Sequence, residues 1–220
     1  MNIAIDGPAG AGKSTIARRA AKEMGFLYVD TGAMYRAVAL YMLKNSIDIN
    51  DESAVSTAVL DVNIDLVYEN GEQQILLNGE NVNSLIRTAE VSATASKTSS
   101  YKAVRARLLD LQKDIARKNS VLMDGRDIGT VVLPDAELKI FLTASSRVRG
   151  ERRYKEMIER GEEANLESII SEIEKRDEQD RNRSIAPLKQ ADDAVLVDTS
   201  DMTIDEVVNR ILELKEERTK

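Results

Sequence analysis

Eight residues near the start of the chain, Gly7-Pro8-Ala9-Gly10-Ala11-Gly12-Lys13-Ser14, have the types and spacing of a phosphate cradle, G-x-x-x-x-G-K-[ST]. Glycines let backbone N–H groups approach anionic oxygens without an obstructing Cβ, and the unpaired amides of a following helix carry partial positive charge. Lys13 supplies a mobile point charge for β and γ phosphates, and the Ser14 hydroxyl is placed to ligate a magnesium ion that bridges them. A second oxygen donor is Asp124, which closes the apolar run Ser120-Val121-Leu122-Met123 and is followed by Gly125-Arg126-Asp127-Ile128-Gly129-Thr130. A carboxylate at such a strand end can hold the metal directly or through water, and Arg126 and Asp127 between glycines are placed to face a ligand. Alone, the run-then-acid pattern reads as a strand turning into a loop; the cradle at Gly7 favours the metal.

The 220 residues contain no histidine and no cysteine. The commonest general base and the thiolate metal ligands are therefore missing, and chemistry falls to carboxylates, cations, amides and oxygen-bound metal. The absence of cysteine is compatible with a reducing compartment. A net charge of −7 argues against a general nucleic-acid or anionic-membrane binder, so any basic site must be local. No long apolar run and no signal-like start appear, and the expectation is a cytoplasmic protein with small-molecule partners, no nucleic acid and no membrane.

Elements must bring these residues together. Asn2 to Asp6 reads as a short buried strand and Ser14 to Met24 as a helix, so the cradle joins strand to helix. Phe26 to Val29 is a second strand; Asp30-Thr31-Gly32 turns it into a helix through Lys44, leaving Thr31, Tyr35 and Arg36 at a strand's carboxyl end, where open α/β sheets bind ligands. Val62 to Tyr68 alternates apolar and polar residues, Asn70-Gly71 signals a hairpin turn, Gln74 to Leu77 returns, and Asn78-Gly79 turns again. Helical sequence follows from about Thr88 to Lys118, with a break near Ser99-Ser100-Tyr101 and a stripe at Val104, Leu108, Leu111 and Ile115. By spacing alone Ser96, Arg105 and Arg107 read as surface. Leu138 to Leu142 is a further strand, and Ser145-Ser146 caps a helix carrying Arg147, Arg149, Arg152, Arg153 and Arg160. Offsets of three, four and eleven put Arg149, Arg152, Arg153 and Arg160 broadly on one side. In the next helix, from about Leu166 to Asn182, Arg176, Asp180 and Arg183 share a face if the helix continues that far. Ala194 to Asp198 is the last strand, and Ile204, Val207, Val208, Ile211 and Leu214 line the last helix.

The fold class that follows is α/β: a three-layer phosphate-loop fold with a parallel central sheet flanked by helices, a small antiparallel β insert and a helical lid. The expected organisation is core over 1–60, insert over 61–87, core with acceptor-binding helices over 88–145, lid and charged helices over 146–187, and core over 188–220. So many arginines around one cradle suit phosphoryl transfer, where catalysis is mainly positioning and charge neutralisation. A phosphate acceptor is already a nucleophile and demands cations instead of a base, so a monophosphate acceptor is favoured, with an aspartate base for a hydroxyl acceptor left open.

Four segments, Ile5 to Ser14, Asp30-Thr31-Gly32-Ala33-Met34-Tyr35-Arg36, Asp124 to Thr130, and Arg176-Asp177-Glu178-Gln179-Asp180-Arg181-Asn182-Arg183, together resemble the bacterial cytidylate kinases over essentially the whole chain. The resemblance implies transfer of the γ-phosphoryl group of ATP, with Mg2+, to CMP or dCMP. It implies ATP on Gly7 through Ser14 and Thr15, and metal at Ser14 and Asp124. Arg36, Arg126 and Arg183 are then expected at the CMP phosphate, Ser96, Arg105 and Asp127 at the cytosine, Arg176 and Asp180 at the ribose, and Thr31 as a further substrate contact. Arg149, Arg152, Arg153 and Arg160 lie in the part resembling the lid, with Arg153 joining Lys13, Arg126 and Arg183 as a catalytic candidate. The expected working form is a monomer. Two other readings stay open: a kinase of the same scaffold for another small acceptor, and a nucleotide-dependent switch, against which stands the lack of an Asn-Lys-x-Asp motif.

Overall fold

The structure is a computed structural model that describes residues 1–69 and 72–219. The Asn70-Gly71 turn expected from the sequence lies outside the described residues. The chain divides into two compact units, one formed by Met1–Leu27 with Ser120–Lys220 and the other by Tyr28–Asn119.

In the first unit, strand β1 (Asn2–Asp6) leads through the glycine loop into helix α1 (Lys13–Met24), and β2 (Leu27–Asp30) carries the chain out of this unit. After residue 119 come β6 (Val121–Gly125), a wide π-type turn (Ile128–Val132), β7 (Leu138–Thr143), α6 (Ser146–Glu159), α7 (Leu166–Arg181), β8 (Val195–Asp198) and α8 (Ile204–Thr219). The five-stranded sheet has the order β2-β6-β1-β7-β8, with β1 parallel to both β6 and β7 and β7 parallel to β8. Helices α1 and α8 pack on each other, α1 also on β6 and α8 on β7. Strands covered on both faces must be apolar throughout, which explains the unbroken runs at Ile3-Ala4-Ile5 and Val121-Leu122-Met123, all fully buried. The order reverses at β1, so the loop after β1 opens at the switch point of the sheet.

In the second unit, α2 (Thr31–Lys44) and α3 (Glu52–Ala58) precede an antiparallel sheet of β3 (Ile64–Glu69), β4 (Glu72–Leu77) and β5 (Glu80–Asn81). Helices α4 (Ala89–Thr98) and α5 (Lys102–Lys118) complete it, parted at Ser99 to Tyr101 as the sequence suggests. The Asn78-Gly79 signal is a true two-residue turn: Leu77 pairs with Glu80, and φ is +49° and +85° at the two turn residues. Helix α2 packs against α4, α5 and β4.

Two expectations need correction. On α5 the buried line runs through Val104, Arg105, Leu108, Gln112 and Ala116, while Leu111 and Ile115 are only half-buried; steps of four rotate the inward face away from the aliphatic stripe. Ile204 is exposed in the first turn of α8, where burial begins only at Val207. On α6, Arg149, Arg152 and Arg153 lie broadly on one side, as their spacing requires, but in different surroundings: Arg149 is buried, Arg152 half-buried and Arg153 exposed, and Arg160 lies past the helix end.

Candidate active site

The loop is built around backbone that only glycine can provide. Gly7 has φ +151°, and a Cβ there would lie 2.0 Å from the Leu142 carbonyl oxygen, so loop and β7 touch backbone to backbone. Gly12 takes the left-handed conformation as the N-cap of α1, which has no side-chain cap, leaving the first amides of the helix for a ligand. Lys13 is 6% exposed, and its Nζ donates to the Pro8 carbonyl at 2.7 Å. Burial and the nearby Arg126 guanidinium push its pKa well below the ordinary lysine value, against the pull of Asp124, Asp6 and Asp180.

Sheet register places the oxygen donors. Ile5 of β1 stands opposite Asp124 of β6, so the carboxylate meets the start of α1, and Ser14 Oγ donates to Asp124 Oδ2 at 2.9 Å. Beyond Gly125, the Arg126 Nε donates to Asp180 Oδ2 at 2.9 Å, and Arg183 Nη2 donates to the other oxygen of the same carboxylate. Asp180, at the end of α7, is 1% exposed. Burial raises its pKa, but Arg126 and Arg183 outweigh burial and hold the carboxyl below its ordinary value. Two guanidiniums are thus fixed side by side by one anion, with Arg176 adding to the field on it. Asp127 is buried, and its carbonyl accepts from Val131 and Val132, which begins the wide turn.

The sequence reading missed Asp6 as part of this site. Its carboxylate ends β1 and accepts the amides of Ile128 at 2.8 Å and Gly129 at 2.7 Å, pinning the segment after Asp127 to the strand that feeds the loop. An acid closing an otherwise apolar buried strand was the available signal, the same one that singled out Asp124. Of the arginines on α6, Arg149 and Arg152 are engaged: Arg152 donates to Thr199, and Arg149 meets Ala9, Ala144 and Asp177. Arg153 and Arg160 are exposed and make no ion pair among the described residues.

The second unit has its own cationic cluster. Asp30 caps α2 through the Ala33 amide at 2.8 Å and holds Arg36 Nη2 at 3.2 Å, with Arg87, which the sequence did not single out, at 3.7 Å. Arg36 Nε is buried without a partner among the described residues. Thr31 is buried beside this cap, and Ser96 is half-buried on α4. Arg105, read as surface from its spacing, is 8% exposed: its Nη1 donates to the Ser99 carbonyl at 3.2 Å, and the guanidinium lies 5.5 Å from the centre of the Tyr35 ring. The α4–α5 break supplies a free carbonyl and α2 an aromatic face, so this cation can be buried.

A family model described as cytidylate kinase matches residues 3–217. The chain belongs to the cytidylate kinase family. A cytidylate kinase of Carboxydothermus hydrogenoformans is 49% identical over 214 residues, covering 97% of this chain and 96% of the relative. A cytidylate kinase of Pediococcus pentosaceus is 50% identical over 220 residues, covering 99% and 96%. Among solved structures, an uncharacterized protein from Eubacterium ventriosum aligns with a TM-score of 0.52 at 12% identity, over 97% of this chain and 96% of that one, a likeness of fold alone. As in other members of the cytidylate kinase family, the chain is a phosphotransferase on a parallel-sheet scaffold with a small antiparallel sheet. Among the described residues no group of three or more acidic side chains could hold a metal by itself. The Ser14 hydroxyl and Asp124 carboxylate fit a hard cation that takes its remaining oxygens from phosphates and water. No helix of the described residues is long and apolar enough to cross a membrane.

Proposed function

We propose that this kinase transfers the γ-phosphoryl group of ATP to the phosphate of CMP or dCMP. The observation that carries the reading is the fixed row of cations beside the glycine loop: Lys13 on the loop, and Arg126 and Arg183 locked together by Asp180. The loop amides and residues Gly7 to Thr15 hold the polyphosphate. Magnesium, held by Ser14 and by Asp124 directly or through water, would neutralise the β and γ oxygens. An acceptor phosphate needs no base, so the protein's work is to bring two anions together and spread charge in the transition state. Arg36, Arg126 and Arg183 take the acceptor phosphate, Arg176 and Asp180 the ribose, and Thr31 adds a hydroxyl. Cytosine offers an exocyclic amine for Asp127 and ring acceptors for Arg105 and Ser96. Arg153, exposed on α6 and without an ion pair among the described residues, serves as a lid cation for the transferring phosphoryl group. In this reading 61–87 serves acceptor binding, 146–187 forms the lid, and the protein works as a cytoplasmic monomer.

A coupled ADP-release assay with ATP, magnesium and a panel of monophosphates tests the reading. Lys13→Ala is expected to abolish turnover with every acceptor, whereas Asp127→Ala chiefly damages use of CMP and dCMP. UMP or AMP turned over much faster than CMP would defeat the acceptor assignment, and equal loss for every acceptor in Asp127→Ala would remove its base-reading role.

A further inference from the structure

Arg149 belongs to the helix that the sequence associates with a lid, yet its side chain is 4% exposed and turned under the phosphate loop. Its Nη1 donates to the Ala9 carbonyl at 2.7 Å and to Asp177 Oδ1 at 3.1 Å, its Nη2 donates to Asp177 Oδ2, and its Nε donates to the Ala144 carbonyl at 2.9 Å. Three parts of the first unit thereby meet on one planar cation: the loop crest, the end of β7 and helix α7. A buried ion pair costs desolvation that its own attraction barely offsets, so a merely stabilising role is better served by apolar packing. What the pair provides is direction.

The Ala9 carbonyl is one of two consecutive loop carbonyls gripped by a cation; the other is Pro8, held by Lys13 Nζ at 2.7 Å. A trans peptide is planar, with its N–H opposed to its C=O. Gripping the carbonyls of Pro8 and Ala9 therefore turns the amides of Ala9 and Gly10 the opposite way, away from the two cations. Gly10 has φ +75°, and a Cβ there would lie 3.5 Å from Arg149 Cβ, so the crest rests on the arginine stem as well. A glycine loop left to itself has many accessible conformations, and fixing them before the ligand arrives removes that entropic cost from binding.

We infer that Arg149, oriented by Asp177, is a positioning residue that presets the Gly10 amide of the loop for the donor's phosphates, next to the Ala9 amide that Lys13 sets through Pro8. The inference rests on the nucleotide-binding reading of that loop. Lysine at 149 keeps the charge but has no planar fork, so it can reach the loop carbonyl or Asp177, not both along with Ala144. Asp177→Asn leaves Arg149 in place and loosens it.

Calorimetric titration of the full chain with magnesium tripolyphosphate, magnesium ADP and, in parallel, CMP provides the test. Arg149→Lys is expected to weaken tripolyphosphate and ADP alike by about tenfold while CMP stays within about twofold of the wild type. Asp177→Asn is expected to move both donor-side ligands the same way by a smaller factor, and it decides the matter if Arg149→Lys does not fold. Unchanged tripolyphosphate and ADP binding in the folded variants, or CMP weakened by the same factor, overturns the inference. Wild-type protein that binds neither tripolyphosphate nor ADP instead overturns the nucleotide reading of the loop beneath it.

Discussion

At Asp6 burial wins over hydrogen bonding. Two backbone amides favour the carboxylate, but desolvation is the larger effect, and the pKa rises from the ordinary 3.8 to about 6. In an unfolded chain this acid ionises first as pH rises, so between about 4 and 6 the folded state binds more protons. This group's contribution is full below pH 3.8 and declines as pH climbs through 6, by about 3 kcal/mol at 1.36 kcal/mol per pH unit. Urea unfolding from pH 4 to 7 should show that decline in the wild type and a flatter profile in Asp6→Asn; parallel profiles would refute it. Asp180 has the opposite sign: its lowered pKa supports the fold above the ordinary value and is lost on acidification. Asp180→Asn leaves Arg126 and Arg183 without their shared anion and is expected to cost about 3–5 kcal/mol. The KM for CMP should rise severalfold, read from unfolding curves and initial rates. The glycine cradle was legible because all its information is local. The i, i+3 pairing of Asp180 with Arg183 was half legible as a shared helix face, whereas the partnership with Arg126 spans 54 residues and appears only on folding. Arg105 was misread because helical spacing cannot announce a carbonyl freed by a helix break or a ring on another helix.

Among the elements, α6 and α7 are held at close range by a small residue. A Cβ at Gly150 would lie 2.5 Å from Ile170 Cγ1, and the branched side chain has limited room to retreat. Gly150→Ala should therefore destabilise by about 1–3 kcal/mol despite the better helix propensity of alanine. Ile170→Ala in the same chain should recover part of the loss, a non-additivity that thermal melts of the double-mutant cycle measure. The strands were readable because each is a short apolar run bounded by turn residues. Helix α3 was not assigned: with seven residues and only Val55 buried, it is held chiefly by its Asp51 cap, whose carboxylate accepts the amides of Ser53 and Ala54. The line of burial on α5 escaped for a related reason, since Gln112 and Ala116 sit inward where the aliphatic residues suggested otherwise.

For the molecule as a whole, the sheet order carries a consequence for biosynthesis. Strand β1 is synthesised well before both its hydrogen-bonded neighbours, β6 and β7, which lie beyond residue 119. The middle of the sheet must wait, unpaired and strongly apolar, while the whole of Tyr28–Asn119 is translated. Such long-range closure slows folding and leaves a nascent segment open to proteases and chaperones. Ribosome-stalled chains ending near residue 119 should be cleaved readily within the first twenty-seven positions, with resistance appearing only once Thr143 has cleared the exit tunnel.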